Sequence, residues 1–186
     1  MSSNSQSWKL RRKFLAILFC LGCCFSISSH ADNLLQIEYL SRDAFLQQAF
    51  PEQQQKAKIL RLKNSLKKTV ADILGHDYAG RRIRYWQQDN RTAWIIDEIG
   101  KDLPITMGLV VEGDAVKFVR ILVYREERGG EVHQDFFTRQ FESIKLNEQD
   151  LLTKKIDGIT GATLSVESVT RVARLCLKLH AMQNAS

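Results

Sequence analysis

Residues 105–124 read ITMGLVVEGDAVKFVRILVY: two runs rich in β-branched residues joined at Gly113-Asp114. This pattern predicts an antiparallel hairpin with strands at 105–111 and 115–124. Just upstream, residues 82–86 and 92–96 alternate in polarity around the turn residues Asp89 and Asn90, which predicts a second hairpin. Further out, residues 35–74 read as helical. Ser41 is the candidate N-cap and Pro51 a break, and Ile59, Leu62, Leu66, Val70, Ile73 and Leu74 form one apolar face that stops at Gly75. On the other side of the central hairpin, Val166, Val169, Val172, Ala173, Cys176 and Leu179 recur at helical spacing from Ser165 onward. Glu167, Arg171, Arg174 and Lys178 take the opposite face of that helix. No internal repeat or low-complexity linker separates these segments. The expectation is an α+β fold, an antiparallel β-sheet packed with helices in a single compact domain, with an N-terminal helical and hairpin part at 32–104 and a second part at 105–186.

The first 31 residues have the layout of a signal peptide. Lys9, Arg11, Arg12 and Lys13 form a basic region, residues 14–27 an apolar one, and Ser29-His30-Ala31 a small-x-small cleavage site. The apolar run is shorter than the roughly 20 residues of a comfortable membrane span. Arg11-Arg12-Lys13-Phe14-Leu15 is similar to the twin-arginine consensus, but the strongly apolar core of the segment favours Sec export. A periplasmic location is expected. Loss of those four basic residues leaves 23 Lys and Arg against 21 Asp and Glu, a net charge of +2 in place of +6. The runs that remain, Lys67-Lys68 and Arg81-Arg82, are too short to argue for nucleic-acid binding and read as solvated surface. Three of the four cysteines leave with the signal, so Cys176 has no partner within the mature chain. The histidines lack metal-ligand spacing, and no nucleophile-elbow sequence accompanies any serine. Chemistry, where present, has to come from a cofactor.

The segment Asp157-Gly158-Ile159-Thr160-Gly161-Ala162-Thr163-Leu164-Ser165 is a hydroxyl-rich turn centred on glycine that runs into the last helix. The first amides of a helix lack internal partners and carry partial positive charge, so Thr163 sits where a phosphate is stabilised. A plainer alternative has Ser165 capping the helix and Thr163 an ordinary loop hydroxyl.

The pattern D-x-x-T-G-A-T-x-S resembles the D-x-x-[ST]-G-A-[ST] signature of FMN-binding-domain proteins, such as the flavin subunits of sodium-pumping NADH:quinone reductase and of Rnf complexes. The resemblance covers roughly residues 105–180 and implies that Thr163 carries FMN through a phosphoester. It also implies that Asp157, Thr160, Gly161, Ala162, Leu164 and Ser165 belong to the site. An ApbE-like flavin transferase using FAD and Mg²⁺ would attach the cofactor. A second segment, Tyr124-Arg125-Glu126-Glu127-Arg128-Gly129 followed by Phe136, Phe137, Gln140 and Phe141, is similar to the family's E-T-P-G turn and aromatic stretch, without its Thr and Pro. It adds Glu126 to the candidate flavin contacts. Its plainer reading is a charged turn followed by a helix that buries Phe137 and Phe141. Tyr85, Trp86, Trp94 and Tyr124 are possible stacking partners for a flavin or ordinary core, and His133 a possible flavin neighbour or a loop residue.

The function this implies is an exported flavoprotein that passes electrons between a membrane-bound donor and a cytochrome or reductase acceptor. It would be a redox component and not a self-sufficient enzyme. An FMN-binding redox sensor or adaptor of a membrane partner is the alternative.

Overall fold

A computed structural model describes residues 36–53 and 55–184. The segment expected to be a signal peptide, residues 1–31, lies outside the described residues. The elements run β1 (Ile37–Glu38), α1 (Arg42–Ala49), β2 (Lys58–Arg61), α2 (Asn64–Leu74), β3 (Arg82–Gln88), β4 (Arg91–Ile99), β5 (Pro104–Glu112), β6 (Ala115–Tyr124), α3 (Asp135–Thr138) and α4 (Thr163–Asn184). The six strands form one antiparallel sheet in the order β1-β6-β5-β4-β3-β2. This is the expected α+β architecture in a single compact domain.

Both expected hairpins are present. β3 turns into β4 at Asp89-Asn90, where Asp89 takes φ 48°, and β5 turns into β6 at Gly113-Asp114. Sheet register extends from Arg91↔Glu112 to Ile99↔Pro104, pairing β4 with β5 along the whole length of both strands. The helical reading of residues 35–74 is corrected in its middle. Ser41 caps a helix as expected, its Oγ accepting from Ala44 N at 3.2 Å, and that helix ends before the expected break at Pro51. Residues 58–61 then form the edge strand β2, and a new helix runs to Gly75. Ile59 matched a helical period by coincidence of spacing; it pairs with Arg84 on the sheet and stays exposed, while Val70, Ile73 and Leu74 are buried as expected.

The two faces of the sheet are covered unequally. α1 places Phe45, Leu46, Ala49 and Phe50 on Trp86, Ala93, Val110 and Leu122. The other face carries the larger core, with Val169, Val172, Leu175, Cys176 and Leu179 of α4 on Trp94, Ile96, Met107, Leu109 and Ile121. Full burial of each such aliphatic side chain contributes about 1.5–3 kcal/mol relative to exposure. Cys176 is fully buried, and desolvation pushes its thiol well above its ordinary pKa, so it behaves as a small hydrophobe. Phe137 and Phe141 close the end of this core beside β6.

Two histidines anchor this core to its surroundings with opposite pH signatures. His76 Nε2 donates to Oε1 of the buried Glu98 at 2.8 Å, and this hydrogen bond raises the His76 pKa. Arg171 reaches the same oxygen at 3.2 Å. His180 is buried between Thr92 Oγ1 at 2.7 Å and Gly113 O at 2.6 Å, and desolvation lowers its pKa. The His76 contribution is therefore present below the unfolded value of about 6.5 and lost as pH rises above it. The His180 contribution is present above that value and lost as pH falls below it. Denaturant midpoints measured from pH 5 to 8 should lose their alkaline decline in His76→Gln and their acid decline in His180→Gln.

Candidate functional site

The last helix begins two residues earlier than its apolar period suggests. Ala162 N donates to Ile159 O at 2.9 Å, Gly161 takes φ 83°, and Val166 N makes the first intrahelical bond to Ala162 O at 3.0 Å. Thr163 is therefore the first helical residue, and the amides of Thr163, Leu164 and Ser165 open the helix without intrahelical acceptors. Gly161 supplies a left-handed turn that a β-carbon would strain, and no neighbour crowds it. Thr163 and Leu164 are exposed, while Ala162 is buried beneath them. The capping role weighed for Ser165 is not what forms. Ser165 lies inside the first turn, is 4% exposed, and donates to the Tyr124 hydroxyl at 2.9 Å.

That contact joins the helix to the segment after β6. Tyr124 Oη also donates to Arg128 O, folding residues 125–129 back over the strand end. Burial raises the Tyr124 pKa, which keeps this phenol a donor. Glu126 is held by the β4–β5 loop: its Oε1 accepts from the amides of Lys101, Asp102 and Leu103 at 2.6, 2.7 and 2.8 Å. Three converging amides form a nest that fixes one carboxylate oxygen. Arg125 Nη1 donates to Pro104 O and to Thr106 Oγ1, both at 2.9 Å, so two successive residues lock this turn to the start of β5.

Between the helix start and this locked turn lies a cleft of about 660 Å³, lined by residues 101–103, 126–128 and 161–165. Its size is that of a small-cofactor site. The two candidate regions are thus brought together from positions about forty apart in sequence. The residues fit an FMN: opening amides for a phosphate, an exposed hydroxyl at Thr163, and apolar walls from Leu103, Ala162 and Leu164.

Asp157 and Thr160 lie on the approach to the helix. Gln140 holds the Asp157 backbone from both sides, with Asp157 N donating to Gln140 Oε1 at 2.7 Å and Gln140 Nε2 donating to Asp157 O at 3.4 Å. The Asp157 side chain is left exposed, and Thr160 is exposed at the turn. The aromatic residues weighed as stacking partners are core. Tyr85 and Trp94 stack on each other at 4.7 Å, and Trp86 lies under α1. His133 stacks on Tyr39 at 3.8 Å beside Thr160 and Gly161, forming a separate shallow wall. Sequence reasoning missed the 101–103 loop and the packing of Gly129 on Ala162 and Ser165, for which only the glycine itself was a local signal.

Among the described residues, no cluster of His, Cys, Asp or Glu is arranged to hold a metal, and no helix is long and apolar enough to cross a membrane. No curated protein matches the chain. Residues 100–178, from the loop that holds Glu126 to Lys178 within α4, match the family profile of the FMN-binding domain. Over these residues the chain is similar to the FMN-binding domain family, and this likeness supports binding of FMN by this part of the protein.

Proposed function

We propose that the protein is an exported flavoprotein carrying FMN covalently on Thr163 and passing electrons from a membrane-bound donor to a cytochrome or reductase outside the cytoplasm. The observation that carries this reading is an exposed Thr163 hydroxyl at the first position of a 22-residue helix, facing a cofactor-sized cleft. Bound FMN supplies one- and two-electron chemistry; the protein supplies attachment, orientation and exclusion of water. In the attachment step, Thr163 Oγ bonds to the FMN phosphorus of FAD, the pyrophosphate bond breaks, AMP leaves, and the hydroxyl proton passes to the transferase. The opening amides of α4 then face the phosphoester. Periplasmic export by the N-terminal segment completes the reading, and a tether prevents loss of the cofactor in that compartment.

Co-expression with an ApbE-like transferase, FAD and Mg²⁺ should add the mass of one FMN, retained after denaturation. A chain that gains no flavin under these conditions would refute the proposal. Fractionation of the native cells, with sequencing of the mature N-terminus, tests export: a start near Asp32 in the periplasmic fraction is expected.

Two further outcomes follow from the site geometry. Flavinylated wild type should be more stable than the apo form by about 0.3–2 kcal/mol, the range for an anion at a helix N-terminus. Equal midpoints in urea would mean that the helix end does not hold the phosphate. Asp157 lies six residues before the acceptor, and its exposed carboxylate would repel a nearby phosphate, so docking to the transferase is its expected role. Asp157→Ala should slow attachment in single-turnover assays without shifting the thermal midpoint.

A further inference from the structure

The two short basic runs of the sequence are not separate solvated surface. Leu62 N donates to Arg81 O at 3.0 Å and Arg61 pairs directly with Arg82 across β2 and β3, so the fold merges them. Arg61, Lys63, Lys67, Arg81 and Arg82 surround one depression that has no acidic residue in its lining, and Arg84 extends the patch along β3. All six are exposed, and among the described residues none makes an ion pair or a side-chain hydrogen bond. Some cations elsewhere are matched: Arg91 and Lys117 share Glu112, Lys145 meets Asp114, and Lys178 meets Asp150. Like charges directly opposed across strands are destabilising. Protection of an edge strand explains a charge on β2, but not those on β3 or α2.

Antiparallel pairing puts the end of β2, the start of β3, the end of β4 and the start of β5 at one end of the sheet. The Thr163 cleft lies at that same end, because its 101–103 wall joins β4 to β5. At about 4.8 Å per strand, the patch and the cleft are roughly 10–15 Å apart along the sheet; Arg61, Arg82 and Arg84 lie on the face that carries Trp86, opposite the one α4 covers, so the two are neighbours at the end of the sheet and not side by side on one face. In the cleft lining, Leu103 and Leu164 remain 40% and 45% exposed. An apolar centre flanked by unmatched charge is the anatomy of a transient protein interface. Glu38, Asp43 and Asp97 lie near Arg84 on the outer face of the sheet, whereas the depression holding the other five cations has no carboxylate in its lining.

We infer that this end of the sheet is the docking face for a redox protein with an acidic surface, the six cations steering it onto the apolar rim of the flavin cleft. The inference rests on the flavoprotein reading above. In the reaction it serves, the two-electron-reduced flavin gives one electron to each of two ferric haems in turn and releases its two protons to solvent.

The test uses flavinylated protein reduced by light with EDTA as donor, mixed in a stopped-flow instrument with a ferric acidic b-type cytochrome or a ferric basic c-type cytochrome. At low ionic strength, the acidic acceptor should lose about tenfold in rate on raising salt, whereas the basic one should not. Arg61→Glu/Arg82→Glu/Arg84→Glu should reverse this preference at unchanged flavin content, and Lys63→Glu/Lys67→Glu should weaken it should the strand variant prove unstable. An acidic-acceptor rate with the same salt dependence in both variants would overturn the proposal. So would binding to anionic phospholipid vesicles that both variants abolish while their cytochrome preference stays unchanged, since the patch would then be a membrane contact. Apo protein binding to immobilised acidic cytochrome gives a separate readout. Salt-sensitive binding lost in the variants keeps the docking face even where no flavin is attached, and its absence in the wild type removes it.

Discussion

Thr163→Ala is expected to yield folded protein with no FMN that survives denaturation, an all-or-none loss readable in one intact-mass spectrum. The argument is local. Thr163 is exposed, so its hydroxyl supports no buried network, and the first bond of α4, from Val166 N to Ala162 O, needs only the backbone. Alanine is the best helix former, so the helix should start where it does now. The neighbouring hydroxyls are poor substitutes for different reasons. Ser165 Oγ is 4% exposed and engaged by Tyr124, while Thr160 lies before the left-handed turn at Gly161 and away from the opening amides. Thr163→Ser should therefore retain attachment, because the hydroxyl remains at the first helical position. An undiminished FMN adduct on Thr163→Ala would relocate the bond and remove the helix start from the explanation. The loss should also be specific: α4 packs through Val169, Val172 and Leu175, which the substitution does not touch, so the thermal midpoint of the apo protein should stay where it is.

What the sequence revealed divides by the range of the interactions involved. The two hairpins were legible because each is specified by neighbouring residues: alternating β-branched strands and a turn whose Asp, Asn or Gly accepts unusual backbone angles. α4 was legible from its 3.6-residue period, and its start was read two residues late because Thr163 and Leu164 face solvent and add nothing to that period. β2 was hidden. Ile59 and Leu62 happened to continue the spacing of Leu66 and Val70, and only pairing with β3, more than twenty residues away, makes the segment a strand.

The site shows the same division. The half around Thr163, residues 157–165, is contiguous and could be read directly. Its other half depends on Glu126 reaching back to the amides of residues 101–103 and on Tyr124 reaching forward to Ser165. The charged turn named as the plainer reading of residues 126–129 and the wall of the cleft are thus the same structure, since the carboxylate that shapes the loop also bounds the cleft. Gln140 is a similar case: the residue lies in the aromatic segment, yet its side chain grips the backbone of Asp157. Net charge concealed the basic patch, because a sum over the chain carries no position, while pairing of β2 with β3 gathers six cations at one end of the sheet.

Gly129→Ala should cost far more stability than the same change at Gly161, although both glycines sit at nearly the same left-handed angle, φ 88° and 83°. The backbone strain of an alanine there is common to the two and amounts to roughly 1 kcal/mol. The surroundings differ. A β-carbon on Gly161 meets nothing within 4 Å, whereas on Gly129 it would lie 2.8 Å from Tyr124 Oη, 3.0 Å from Ser165 Oγ and 3.1 Å from Ala162 Cβ. None of these can swing away cheaply. The Tyr124 hydroxyl is fixed between Arg128 O and Ser165, and Ala162 is backbone-bound at the start of α4. Overpacking of this kind adds about 1–3 kcal/mol, giving roughly 2–4 kcal/mol in total for Gly129→Ala. For a domain of this size that is a fall of about 5–15 °C in Tm, against about 2–4 °C at Gly161. Because the displaced atoms belong to the residues on either side of Thr163, Gly129→Ala should also slow FMN attachment. Equal Tm losses in the two variants would show that the turn after β6 does not press on the helix start, and the two halves of the cleft would then be adjacent without being mechanically joined.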